Sequence, residues 1–280
     1  MDSITQGSYQ GWDEVWKGEK ETEQLNPNFT RERPNSIYQF WQKAYACDLL
    51  YLIQNKSYKT FCELGSGRGT TSMYLSDAGY PNITMVDLSE NGFKVAKYSF
   101  EKLGLQKPQF VLTDVETTGL TSDSFDCIYN IGLLEHFEDP SKTLLEAYRL
   151  LKKEGMIFMP IVPKLPFWKS IGPRLLFNPV SLMKQLVKFI IGFKNKDNSK
   201  IFRNTLDKSY YTETCAKIGY QNISCVSYNP YWKVNDDGFV ESQITLPYYL
   251  KYYDLFKKNK GISFECSNLT EACYLLVAYK

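Results

Sequence analysis

Four short stretches of this 280-residue chain carry side chains able to hold a ligand or move a proton. The first is ELGSGRG, Glu63 to Gly69, where three glycines alternate behind an acid at the end of an apolar run. Glycine lacks a Cβ and adopts positive φ at no steric cost, so a ligand can lie against such a backbone. The helix that follows also offers N–H groups to an anion. The second stretch, MVDLSE, puts Asp87 about twenty residues further on, where a carboxylate accepts hydrogen bonds from both ribose hydroxyls. The third, VLTDVE, ends another apolar run in Asp114, in position to accept from an exocyclic adenine amine. The fourth, NIGLLEHFEDP, carries Glu135 and His136, the one histidine of the chain. An imidazole pKa of about 6.5 suits proton removal at neutral pH, and packing at a helix start is the alternative role for this ring. Dinucleotide loops read G-x-G-x-x-G; here Thr70 stands where the third glycine belongs, which argues against NAD or FAD.

These residues need a frame that collects them at one end. Apolar residues at three- and four-residue intervals from Ile37 to Ile53 predict a helix lying on a sheet. Alternation follows: strand Thr60–Leu64, helix Thr70–Ala78, strand Ile83–Val86, helix Gly92–Leu103, strand Gln109–Leu112, strand Ser124–Gly132. A helix over PSKTLLEAYRLLKKEG, ended by Gly155, and a fifth strand, MIFMPIV, complete the run. KSYYTETCAKIGY, QNISCVSY and EACYLLVAYK add a helix and two strands. The fold class expected is α/β, a doubly wound, mostly parallel, seven-stranded sheet with an antiparallel C-terminal strand and a helical insertion after strand five. Residues 1–36 read as an N-terminal arm and 37–280 as one domain, interrupted by 163–203.

Composition narrows the class. Hydrophobic residues make up 43% and charged residues 23%, ordinary for a soluble globular protein, and the net charge is +2. Seven cysteines without a CxxC pair, beside a single histidine, leave little material for a metal site and read as reduced thiols. No basic-then-apolar leader and no run of 18 apolar residues occurs, so a cytoplasmic location is expected.

Taken in order, the acidic glycine loop, Asp87, Asp114 and LLEHFEDP resemble the class I S-adenosylmethionine-dependent methyltransferases. The similar group is that of the ubiquinone and menaquinone biosynthesis C-methyltransferases. LLEHFEDP matches that group's apolar pair, acid, His and acidic pair with Pro, and LLEAYRLLKKEGMIFMP resembles its L-K-P-G-G segment, with Lys153 and Glu154 replacing Pro and the first Gly. The likeness covers Phe61–Pro163 and Tyr210–Lys280. It implies S-adenosylmethionine as cofactor, held by Glu63, Gly65, Ser66, Gly67, Gly69, Asp87, Leu88, Asp114, Val115, Asn130 and Ile131. It implies catalytic roles for His136 and Glu135 on a small-molecule substrate, apolar or aromatic. The [DNS]-P-P-[YFW] motif of nucleic-acid amino methyltransferases is replaced here by Asn130, Ile131, Gly132 and Leu133, so no nucleic-acid partner is expected. A non-catalytic S-adenosylmethionine-binding protein is the rival expectation.

The insertion 163–203 holds nine Lys or Arg against Asp197 alone, a net +8 that leaves −6 for the remainder. Within it, Leu182, Leu186, Phe189, Ile190 and Phe193 share one helical face, with Lys184 and Lys188 elsewhere. A lid over the acceptor and a peripheral membrane or lipid contact both fit this pattern. The sequence is silent on oligomeric state.

The Thr70 substitution in the glycine spacing predicts that neither NADH nor FAD binds. Titration followed by cofactor fluorescence checks this, and saturable binding of either contradicts it.

Overall fold

The computed structural model describes residues 24–164, 183, 201–230 and 271–280. In chain order its elements are α1 (Ile37–Ile53), β1 (Phe61–Leu64), α2 (Thr70–Asp77), β2 (Ile83–Asp87), α3 (Glu90–Lys102), β3 (Gln109–Leu112), β4 (Phe125–Tyr129), a 3-10 turn (Leu134–His136), α4 (Ser141–Leu150), β5 (Leu151–Ile161), α5 (Lys208–Ile218), β6 (Gln221–Pro230) and β7 (Glu271–Tyr279). The seven strands form one sheet in the order β3-β2-β1-β4-β5-β7-β6. Neighbours from β3 to β5 pair in parallel, and β7 runs antiparallel between β5 and β6. The fold class is therefore the one expected. Apart from Met183 the expected insertion helix lies outside the described residues, as does Cys266 of the seven cysteines.

Successive side chains on a strand point to opposite faces, so each central strand feeds two cores. Phe61, Cys127 and Tyr129 pack with Phe40, Leu49 and Met73 on the side of α1 and α2. Cys62, Leu64 and Ile128 pack with Leu144, Leu150, Tyr211 and Cys215 on the side of α4 and α5. Helix starts are capped as composition suggests: the side chains of Ser36, Ser89 and Asp207 accept from the N–H groups of Gln39, Gly92 and Tyr210. Gly219, at φ +113, closes α5 in the left-handed conformation.

Two boundaries differ from expectation. The fourth strand stops at Tyr129, and Gly132, at φ +72, turns the chain out of the sheet toward the 3-10 turn. The helix after it ends at Leu150 and not at Gly155. Its last carbonyls are taken by the turn before β4, with Asp123 N–H donating to Arg149 O and Ser124 N–H to Leu150 O. Leu151 is thereby drawn into the sheet opposite Phe125, and an irregularity separates that pair from Cys127 and Met156. Gly155 serves the bulge: a Cβ there would stand 2.9 Å from Lys152 O and 3.0 Å from Asp126 O.

Glu154 sits at φ +65, a conformation disfavoured for any residue with a Cβ. Its backbone bonds, N–H to Lys280 O and O from Tyr58 Oη, need no particular side chain. Glu154→Gly is therefore expected to raise stability by about 1 kcal/mol. Denaturant unfolding measures it, and a loss of stability contradicts the strain.

Candidate functional site

The carboxyl ends of β1, β2 and β4 meet where the chain order reverses, the usual ligand crevice of an open α/β sheet. Gly65, Gly67 and Gly69 all adopt positive φ there, at +63, +48 and +67. Side-chain ends also crowd the space a Cβ would take. A Cβ at Gly65 would fall 2.6 Å from Leu133 Cδ1, and one at Gly69 would fall 2.3 Å from Met85 Cε.

Asp87 closes the loop from the next strand. One carboxylate oxygen accepts from Gly67 N–H at 2.7 Å, and the other accepts from Ser89 N–H at 2.7 Å. Burial pushes this carboxyl above the usual range, against the backbone N–H groups of Gly67, Ser89 and Leu88 that pull it down. Further donors brought by a ligand would therefore be favourable. Leu88 itself is half-buried, and Ser66, nearly buried, donates its N–H to Val86 O while its hydroxyl lacks a partner.

Glu63 faces inward. Its carboxylate accepts from Ser72 N–H at 3.2 Å and from Ser72 Oγ, and that hydroxyl also meets Tyr129 Oη at 2.8 Å. Helix α2 starts at Gly69 without a side-chain cap of its own, so Glu63 supplies from β1 the acceptor that its first turn needs. Burial pushes the Glu63 carboxyl up to about 8, with the Ser72 bonds opposing and Asp87 adding to the rise. Asp114 is half-buried, and its carboxylate accepts from Glu116 N–H at 2.9 Å, beside the buried Val115.

The fourth wall is the chain beyond β4. Asn130 is fully buried with neither amide atom hydrogen-bonded, and Ile131 is half-buried. Glu135 is 1% exposed, with Oε2 unpartnered and Oε1 3.1 Å from where a Cβ on Gly132 would stand. His136 is 6% exposed; its Nδ1 lies 2.7 Å from Phe202 O, and its Nε2 lies 3.9 Å from Glu135 Oε1. Buried polar atoms without partners are costly, and their gathering beside a glycine cradle is what an absent polar ligand would relieve.

Three contributors carry weak sequence signals. Gly92, inside the first turn of α3, backs the loop: a Cβ there would lie 2.9 Å from Gly67 O. Asn26 reaches from the N-terminal segment, its amide donating to Arg68 O at 3.3 Å and Thr70 Oγ1 at 2.8 Å. Asn204 binds the 3-10 turn from the far end of the insertion. A glycine just inside a helix hints at close packing; isolated asparagines give no hint.

A groove of about 390 Å³ opens beside the turn, lined among others by Glu138, Lys164, Phe202 and Arg203. A larger one, about 510 Å³, lies at the amino ends of the strands between Thr60, Asn82, Lys107 and Ser124. It has no glycine loop and sits opposite the usual ligand face. Among the described residues no cluster of three metal-capable side chains occurs, and no helix is long and apolar enough to cross a membrane.

Residues 62–159 match a family model described as a methyltransferase domain. A 2-methyl-6-phytyl-1,4-hydroquinone methyltransferase of Oryza sativa subsp. japonica is 29% identical over 111 residues, 39% of this chain and 32% of that protein. The ubiquinone biosynthesis O-methyltransferase of Nitrosomonas europaea is 27% identical over 136 residues, 48% of this chain and 57% of its own length. The chain thus spans between a third and about three-fifths of these relatives. Among solved structures, magnesium protoporphyrin IX methyltransferase from Synechocystis PCC 6803, with bound SAH, superposes with a TM-score of 0.57 at 12% identity, covering 99% of this chain and 100% of that one. That likeness is one of fold. The chain carries the sequence pattern of a methyltransferase domain through β5, on the fold of such enzymes.

A carboxyl raised in the folded state contributes stability that is fully present below its unfolded pKa, here 4.5. That contribution is lost as pH rises through the folded value of about 8. Glu63→Gln keeps the acceptor but cannot ionise. Its stability relative to the parent should rise by on the order of 3 kcal/mol between pH 5 and pH 9. Thermal unfolding across that range checks the sign, and parallel profiles contradict the assignment.

Proposed function

We propose that the chain is an S-adenosylmethionine-dependent methyltransferase acting on a small, apolar or aromatic molecule. The observation that carries this reading is the loop of three left-handed glycines tied by Asp87 to the end of β2. Such a loop accepts a nucleoside with its backbone and offers a carboxylate to the ribose hydroxyls. Residues fitted to hold the donor are Ser66, Gly67, Asp87, Leu88, Asp114, Val115, Asn130 and Ile131, with Glu63 and Gly69 shaping the loop and Gly65 packing it against Leu133. The donor is cationic at sulfur and at its amino group. The acids gathered around this loop, Glu63, Asp87 and Glu135, leave a setting that suits a cation. The quinol-related names of the relatives support an apolar acceptor.

When bound, the donor supplies a methyl group poised for in-line displacement, with the C–S electron pair leaving on sulfur. The chain's own contribution is alignment, exclusion of water and proton removal. The buried Glu135 and His136 stand on the turn after β4, which Asn204 ties to the root of the insertion. A proton leaving an acceptor hydroxyl or activated carbon passes to His136 Nε2, and the imidazolium formed lies 3.9 Å from the Glu135 carboxylate, which offsets its charge. The lid expected of 163–203 falls largely on residues outside those described; a lid there would desolvate the acceptor.

Calorimetric titration with S-adenosylmethionine tests the donor site. Asp87→Ala removes an acceptor from both loop and ribose and should weaken binding 10- to 100-fold, the size of about 1.5–3 kcal/mol for bonds to a charged group. Gly67→Val should abolish it. His136→Ala should lower kcat by roughly 10²-fold with donor affinity intact. Unchanged affinity in both loop variants refutes the donor assignment; full activity of His136→Ala refutes the base alone.

A further inference from the structure

Both ends of the insertion are fastened to the turn that carries Glu135 and His136. Lys164 N–H donates to Asn204 O at 2.8 Å, so the departing and returning strands of the insertion are joined at its root. Asn204 then makes three bonds to the turn. Its backbone N–H donates to Glu135 O at 2.7 Å, and its amide donates to Leu134 O at 3.0 Å and to Phe137 O at 2.9 Å. Its Oδ1 accepts from Leu206 N–H and, at 3.4 Å, from Tyr211 Oη, so the whole side chain is consumed in this clamp at 5% exposure. Two residues earlier, Phe202 O lies 2.7 Å from His136 Nδ1.

A carbonyl oxygen can only accept, so in the neutral ring Nδ1 carries the proton and the Nε2 lone pair is the basic site. We propose that Asn204 is a positioning residue which, by holding the Phe202 carbonyl on Nδ1, fixes the tautomer in which His136 acts as a base. This rests on the base role proposed for His136. The arrangement explains why a turn carrying two buried titratable groups is tied to a segment distant in sequence: the root of the insertion sets the protonation pattern of the ring below it. Glu135 on its own turn is the charged group recorded beside the ring, Lys164 and Arg203 stand with Asn204 at the insertion root, and Tyr211 on α5, whose phenol burial pushes up, bonds Asn204.

The chain has one histidine, so selective 15N-histidine labelling of the full-length protein reports this ring alone. At a pH where the ring is neutral, the parent protein should show a protonated Nδ1 and an unprotonated Nε2. Asn204→Asp is close to isosteric but turns the donating end of the clamp toward two carbonyls without a proton to give. It should shift the ring to a mixture of tautomers, lowering the Nδ1–H population at least threefold, while affinity for S-adenosylmethionine stays within threefold of the parent. An Nε2–H tautomer in the parent protein overturns the proposal whatever the variant does, and so does an unchanged ring pattern in folded Asn204→Asp. Absence of S-adenosylmethionine binding by the parent would instead refute the methyl-transfer reading, leaving the tautomer result to stand by itself.

Discussion

The structure around the site depends on one carboxylate. Asp87 holds Gly67 N–H with one oxygen and Ser89 N–H with the other, and so joins the loop after β1 to the cap of α3. Three alternate left-handed glycines lie outside the regular ladders of sheet and helix, and glycine loses more conformational freedom on ordering than any other residue. Charge-assisted bonds from a side chain on the neighbouring strand offset that loss. Gly92 and Asn26 complete the support from α3 and from the N-terminal segment. The same carboxylate is held in surroundings that disfavour its charge, which leaves it eager for the donors a ribose presents.

Much of this was legible in the sequence because it depends on local rules. Short buried strands alternating with helices specify a parallel sheet, and the acids at the ends of β1, β2 and β3 stand out against apolar runs. The region after α4 misleads for a physical reason. LLKKEG continues a helical period and ends in glycine, yet the carbonyls of Arg149 and Leu150 are claimed by Asp123 and Ser124, so the chain leaves the helix five residues early. Glu63 shows a different limit. Its acidity and place predict a ligand contact; that its carboxylate also caps α2 through Ser72 is visible only once the strand and helix are laid side by side. Asn204 lies 68 positions from His136 in a polar stretch, and no period or motif marks it.

On the proposed reading the two halves of the site divide the work. The donor side is built on β1, β2 and β4, with a fully buried β1 and a loop in which a Cβ at Gly65 or Gly69 would meet Leu133 or Met85. The acceptor-facing turn instead takes its order from Asn204 and Phe202 at the root of the insertion.

The most direct test of the central claim is a titration of the 15N-labelled protein with S-adenosylmethionine, followed at the backbone amides. The account predicts saturable shifts at Gly65, Gly67, Gly69 and Leu88, and silence in the groove formed by Thr60, Asn82, Lys107 and Ser124. Shifts confined to that opposite groove, or none at the glycine loop, would contradict it.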